Sequence, residues 1–235
     1  MAKPKIVPRD QWTKARIALL AREKELTRLR DAVARERREL PWVKIDADYR
    51  FDGPDGEQTL SDLFAGRGQL LVYHFMFDPA WNEACKSCSF WAESFDGAQV
   101  HINQRDTTMV AVSRAPLAKL EAFKRRMGWR FKWLSSGRST FNRDFHVSFT
   151  AADRAAGATY NYAPAAGEMS ELPGLSVFAK DDKGAVYHTY SCYARGLDAL
   201  NPTYQLLDLT PKGRDEDGLP FTMAWVRLKD QYQAA

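Results

Sequence analysis

The stretch YHFMFDPAWNEACKSCSFWAESFDG, residues 73–97, carries the end of a strand, a turn and the start of a helix in succession. It begins inside a nearly continuous apolar run, QLLVYHFMF at residues 69–77, and a run of that kind between turn residues reads as a strand buried on both faces. A polar turn follows, and from Cys85 the pattern becomes helical. The chain has three cysteines, and two of them, Cys85 and Cys88, stand where strand gives way to helix. In a reducing compartment a structural disulfide is not expected, so Cys-x-x-Cys at this place is a redox or a metal candidate.

Reading outward, TTMVAVS (107–113) is a second buried strand, and PLAKLEAFKRRMG (116–128) is an amphipathic helix with Pro116 at its start and Gly128 at its end. The series is β-α-β-α, which implies parallel strands joined through helices. Upstream, YRFDGPDGEQTL (49–60) has the Asp-Gly chemistry of a hairpin, and Ser61 is placed to cap the short turn SDLFAG. Downstream, LPGLSVFAKDDKGAVYHTYS (172–191) reads as two strands joined at Asp-Asp-Lys-Gly.

The N-terminal segment keeps a spacing of three and four residues through Trp12, Ala15, Leu19, Arg22, Leu26, Leu29 and Val33, a helical stripe of about three heptads that Pro41 ends. Such a stripe either packs on its own domain or grips a second copy, so a homodimer through this helix is one expectation. The division expected is a helical extension, 1–40, and one continuous domain, 41–235. With 45% hydrophobic and 12% aromatic residues the chain can bury one sizeable core.

Residues 1–40 carry 12 Lys/Arg against 6 Asp/Glu, while the remaining 22 and 24 leave the body near neutral. The basic surplus alternates with acids along the helix, the mark of a solvated face rather than of nucleic-acid binding. No apolar run is long enough for a membrane span, and MAKPKIVPRDQW lacks the apolar centre of a secretory leader, so a cytoplasmic protein is expected. Neither a Gly-x-Gly-x-x-Gly after a strand nor a Walker loop occurs, so no nucleotide or flavin cofactor is expected.

At the start of a helix, backbone N–H groups and the dipole favour a thiolate, and Lys86 adds positive charge. Cys85 is then the nucleophile, and Cys88, on the same side of the helix, attacks the resulting mixed disulfide. The motifs YHFMF, CKSCSFW, DTTMVAVSRAPL, TYSCYARGLD and LTPKGRDEDGLP resemble a bacterial family of unknown function whose members carry the label of predicted dithiol-disulfide oxidoreductases. The order of elements is similar to the thioredoxin-fold superfamily in its peroxiredoxin-like layout. The resemblance implies a thioredoxin-like three-layer α/β/α sandwich with a long N-terminal helix. It implies a thiol-disulfide oxidoreductase acting on a protein or small-molecule disulfide, with electrons from a separate reductant. It also places Pro173 where thioredoxins have a proline in a cis peptide facing the cysteines, an ordinary strand-initiating trans proline being the other reading.

The match has departures. Asn82 stands where peroxiredoxins have Thr or Ser, Asp78 stands at their proline offset with Pro79 displaced by one, and no Arg precedes the later strand. Ala84 replaces the Trp that thioredoxins place before the first cysteine, with Trp81 further ahead. A carboxylate at residue 78 that faced the site would repel a thiolate and a departing oxygen.

Three alternatives remain open: a thiol-dependent peroxidase, a redox-inert interaction protein, and a zinc site formed by Cys85, Cys88, His188 and Cys192. On a regular strand residues 188 and 192 share a face about 13 Å apart. Cys192 is otherwise a small buried hydrophobe. His74 is either a satisfied core residue or a proton acceptor facing the cysteines.

Overall fold

The computed structural model describes residues 4–233. Residues 1–3 of the segment read for a leader, and the last two residues of the expected 41–235 domain, lie outside the described residues. The chain divides into two compact units, Met1–Pro41 and Trp42–Ala235. The first holds one long helix, α1 (Arg9–Arg38), which contains the whole stripe from Trp12 to Val33. No helix among the described residues is long and apolar enough to cross a membrane.

The second unit is built on strands β1 (Val43–Lys44), β2 (Arg50–Gly53), β3 (Gly56–Thr59), β4 (Gln69–His74), β5 (Thr107–Ser113), β6 (Lys132–Ser135), β7 (Thr159–Tyr160), β8 (Ala163–Pro164), β9 (Gly174–Lys180) and β10 (Val186–Tyr193). Its helices are α2 (Lys86–Ala92), α3 (Phe95–Ile102), α4 (Leu117–Met127), α5 (Phe141–Asp144), α6 (Ala151–Ala155) and α7 (Pro202–Leu207). The main sheet runs β1-β10-β9-β4-β5-β6-β2-β3, with β7 and β8 as a separate pair. Strands β4, β5 and β6 are parallel, and β9 lies antiparallel to β4. The parallel pairs are joined through α2 and α3 and through α4, as parallel geometry requires.

The apolar run of β4 is buried on both faces because its residues alternate between two cores. Tyr73 and Phe75 join Met109, Ala111, Trp133 and Leu175 in a cluster covered by α2, α3 and α4. Leu70 and Val72 join Val110, Val112, Leu134 and Phe178 in the other, covered by a 3-10 turn at Asp62–Phe64 and by α5. The sheet is thus sandwiched between helical layers, with the second layer thin.

The punctuation at α4 follows the sequence: Pro116 precedes its first turn, and Gly128 closes it at φ 65°, a left-handed position that suits glycine. Ser61 makes no side-chain cap. The turn is held by Asp62 instead, whose carboxylate accepts from the Thr59 N–H at 2.8 Å and hydroxyl at 2.7 Å. The link between β9 and β10 is the expected hairpin, tied by the Asp181 carboxylate accepting from the Lys183 and Ala185 N–H groups.

Trp133 is fully buried, its ring 4.5 Å from that of Phe75 and its indole N–H donating to the Ser113 hydroxyl at 2.9 Å. Trp133→Ala empties a large volume that such neighbours cannot refill. Urea unfolding should show a loss of about 3–5 kcal/mol, and a loss below about 1 kcal/mol would mean the core rearranges around the site.

Candidate functional site

Past His74 the chain stays extended. The Phe75 N–H donates to the Val112 carbonyl and the Ala115 N–H to the Phe77 carbonyl, so residues 75–77 remain stitched to the end of β5. The chain then turns through residues 78–84 and returns, the Cys85 N–H donating to the Met76 carbonyl at 3.1 Å. That bond sets the first cysteine directly beyond the C-terminal end of β4.

Cys85 is the N-cap of α2, and its sulfur accepts the Cys88 N–H at 3.4 Å, taking the place an Asp or Ser oxygen fills in most helices. The Ser89 N–H and hydroxyl both donate to the Cys85 carbonyl, at 2.9 and 3.0 Å. Cys85 is half-buried and Cys88 buried, and both are free thiols. The Cys88 thiol lowers the Cys85 pKa most, and the N–H groups of residues 87 and 88 and the Ser87 hydroxyl add to it. Against burial they bring Cys85 to about 7. Cys88 is pushed well up, first by burial and then by the neighbouring Cys85 sulfur. One thiol is poised to ionise and its neighbour keeps its proton.

Lys86 opens α2 but is not among the leading causes of the Cys85 shift, which comes from the dithiol and the helix start. Trp81 lies half-buried against the apolar cluster of the cysteines. The Lys119 ammonium donates to the Pro79 and Trp81 carbonyls at 2.7 and 2.9 Å, holding the turn against α4.

His74 is elsewhere. One residue along a strand reverses the face, so when Tyr73 points toward the cysteines His74 points away. Its ring stacks near Phe145, centroids 5.8 Å apart, and its Nε2 pairs with the Ser176 hydroxyl at 2.8 Å. Burial depresses its pKa to about 3, so it stays neutral in that core. The proton-acceptor reading of His74 is corrected on this ground.

Pro173 precedes β9, but its peptide bond is trans, since no cis peptide occurs among the described residues. The Leu172 N–H donates to the Val147 carbonyl, and the Pro173 carbonyl accepts the Tyr160 hydroxyl at 2.7 Å. The chain enters β9 as an ordinary strand start. Gly174 follows because a Cβ there would lie 2.7 Å from the Tyr193 ring.

The shared face read for His188 and Cys192 is also corrected. A bulge between His188 and Tyr190 shifts the register of β10 against β9, and one extra residue reverses the facing of all that follow. His188 pairs with Phe178 and its ring packs on Phe145. Cys192 pairs with Leu175, which itself pairs with Tyr73 on the cysteine face. His188 donates or accepts instead in a buried chain, its Nε2 lying 2.8 Å from the Ser191 hydroxyl, which lies 2.8 Å from that of Ser176. No group of His, Cys, Asp or Glu side chains fit to hold a metal ion occurs among the described residues.

Asp78 does not face the thiols as a bare charge. Its carboxylate accepts from Arg114 at 2.6 Å, from the Ser170 hydroxyl at 2.9 Å and from the Ala80 N–H at 2.8 Å. Arg114 also pairs with Glu171, which is 1% exposed and accepts the Ser148 hydroxyl as well. Burial lifts Glu171 to about 7 against the pull of Ser148 and Arg114. Arg114, from the end of β5, thereby ties the turn before Cys85 to the segment before β9. Asn82 is exposed.

Sequence reasoning did not single out Arg114, Glu171, Tyr73, Ser87 or Tyr160. For Tyr73 half of the signal was present, since the period of two puts it opposite His74 without saying which of the two faces the cysteines. For the Arg114 cluster there was none, since its members are 36 and 57 residues from Arg114.

The order β10-β9-β4-β5-β6, with Cys-x-x-Cys beyond the end of β4 at the start of α2, makes this a thioredoxin-like α/β protein. Within that class the chain belongs to the family described as "Bacterial protein of unknown function (DUF899)", whose model matches residues 1–232. The comparison with curated proteins gave no match. Among solved structures it is similar to a mutant of Xanthomonas campestris peroxiredoxin Q (15% identity, TM-score 0.47, covering 71% of this chain and 98% of that one). It is also similar to a mutant of Xylella fastidiosa PrxQ (10%, 0.45, 70% and 94%). A third is the peroxidoxin BcpB of Mycobacterium tuberculosis (16%, 0.44, 71% and 96%).

Two measurements check the electrostatics. Alkylation at graded pH should label Cys85 with a midpoint near 7, and Cys88→Ala, which removes the largest cause, should move that midpoint up toward an ordinary thiol. An unmoved midpoint would assign the shift to the helix start alone. Arg114→Met leaves Glu171 buried without its cation. Burial raises that carboxyl to about 7 with Arg114 in place, so the folded state holds its proton more tightly than the unfolded chain and stability is lost as pH rises from the ordinary carboxyl range through about 7; without the cation the carboxyl rises further. The variant should therefore lose about 3–5 kcal/mol at alkaline pH and less in acid, and an equal loss at both would show that Glu171 does not ionise there.

Proposed function

We propose that the protein is a thiol-disulfide oxidoreductase in which Cys85 attacks and Cys88 resolves. The observation that carries this reading is the asymmetry of the pair: the half-buried Cys85 sulfur caps α2 with its pKa near 7, beside a buried Cys88 that keeps its proton. An attacking thiol works best with a pKa close to ambient pH, because the thiolate fraction and its nucleophilicity are then balanced.

The Cys85 thiolate attacks one sulfur of a substrate disulfide, and the other sulfur leaves with the bonding electron pair and takes a proton. Cys88 then loses its proton and attacks the Cys85 sulfur. The mixed disulfide breaks, the second substrate thiolate departs, and the Cys85–Cys88 disulfide forms. The substrate is a protein or small-molecule disulfide, and a separate thiol reductant restores the dithiol. Peroxide is a poorer substrate on this geometry. Arg114 is committed to two carboxylates, so its guanidinium is not free for a departing oxygen beside Cys85, and Asn82 supplies no hydroxyl where peroxiredoxins have one.

Stopped-flow mixing of the reduced protein with a disulfide and, separately, with hydrogen peroxide tests the assignment. Disulfide reduction should be fast, abolished by Cys85→Ser and stalled at the mixed disulfide by Cys88→Ser. Reaction with peroxide should stay near that of an unassisted thiolate. Peroxide reacting orders of magnitude faster than the disulfide would make the protein a peroxidase, and reaction with neither would leave an inert scaffold.

A further inference from the structure

Tyr73 stands at the end of the central strand, on the cysteine face, with its ring against Phe75 and Phe95 at 5.8 and 5.0 Å. The side chain is 1% exposed and its hydroxyl has no hydrogen-bond partner in the resting dithiol. Buried tyrosine hydroxyls usually find one. Tyr73 shares its buried cluster with Cys88, itself 2% exposed, and after burial Cys88 is the neighbour that raises the phenol most.

In the resting dithiol that arrangement is idle. The Cys88 side chain supports the Cys85 thiolate, the largest cause of the lowered Cys85 pKa, while it keeps its own proton and so makes no demand on Tyr73. Once Cys85 is bound in a mixed disulfide it no longer carries charge for Cys88 to support. Cys88 must then lose its proton in a site that excludes water, and an unsupported buried thiolate is disfavoured. The groups that favour its charged form are the Met76 N–H and the Tyr73 hydroxyl. Burial and the neighbouring sulfurs hold the Tyr73 pKa well above its ordinary value, so the phenol keeps its proton and can donate.

We propose that Tyr73 is a catalytic residue of the resolving step, its otherwise unpartnered hydroxyl donating a hydrogen bond to the Cys88 thiolate as that thiolate attacks Cys85. The inference rests on the exchange chemistry proposed above. In the step the Cys88 proton passes to the departing substrate thiolate or to water, the Cys88–Cys85 bond forms, and the bond from Cys85 to the substrate sulfur breaks with its electron pair leaving on that sulfur. Tyr73 keeps its own proton throughout. In the reverse direction an incoming thiolate attacks Cys85, the disulfide electron pair leaves on Cys88, and the same hydroxyl donates a hydrogen bond to that thiolate.

Tyr73→Phe keeps the ring and removes the donor. With a disulfide substrate, formation of the mixed disulfide at Cys85 should proceed at the wild-type rate. Resolution should slow by about tenfold or more, the effect of losing a hydrogen bond to a charged group, and its pH midpoint should rise. A ring-fluorinated tyrosine placed at residue 73 alone is a stronger donor of nearly the same shape and should lower that midpoint. Resolution and its pH profile unchanged in both variants would overturn the proposal. So would equal slowing of both steps, which marks a packing defect.

The outcome is separable from that of the exchange reading. In Cys85→Ser protein, site-resolved alkylation of Cys88 reports its titration with no substrate, and Tyr73→Phe on that background should shift it upward. If the wild type reduces no disulfide yet this shift is present, the contact stands and the exchange reading fails. If the wild type reduces disulfides and the shift is absent, Tyr73 is not the donor.

Discussion

Strand β4 is buried on both faces, and that double burial holds the site beyond it in place. A strand covered on both faces must send alternate side chains into two cores, and here Leu70 and Val72 enter one while Tyr73 and Phe75 enter the other. The strand is paired on both edges, with β5 and with β9, so its register cannot slip without exchanging the contents of the cores. Everything placed beyond its C-terminal end inherits that rigidity. Cys85 is one step away, through its hydrogen bond to the Met76 carbonyl.

The turn between strand and helix needs its own support, because it carries polar backbone and leaves the sheet. Cations supply it from two directions: Arg114 at the end of β5 grips Asp78, and Lys119 in α4 takes the carbonyls of Pro79 and Trp81. The Arg114–Glu171 pair extends the clamp to the segment before β9, with Glu171 buried. A buried ion pair is seldom a net source of stability. What this one contributes is a fixed relation between the elements that frame the cysteines.

Within that frame the chemistry divides by depth. A sulfur at the N-cap of α2 meets two N–H groups and a hydroxyl, while a sulfur one turn further sits among apolar rings. The neighbouring Cys88 thiol and then the helix start lower the first thiol, while burial and the neighbouring Cys85 sulfur raise the second. His74, the titratable group nearest in sequence to the strand end, has no part in this. Alternation sends it to the opposite core, where it closes a chain of hydroxyls with His188.

Elements with local signals were legible in the sequence. Continuous apolar runs marked β4 and β5, Pro116 and Gly128 bounded α4, Asp-Gly and Asp-Asp-Lys-Gly marked the hairpins, and Cys85 and Cys88 were placed at the strand-to-helix junction. These signals lie within a few residues of the structures they specify, so reading them requires no knowledge of the partner strands. Tertiary structure decided the rest. The bulge in β10 that separates His188 from Cys192 exists only against β9. The trans peptide at Pro173 is set in the segment that Val147 and Tyr160 hold. The face to which Tyr73 or His74 turns depends on which side α2 packs. Arg114 meets Asp78 and Glu171 only because β5 ends beside both. Each of these rests on contacts between residues far apart in the chain, and neither periodicity nor spacing encodes such contacts.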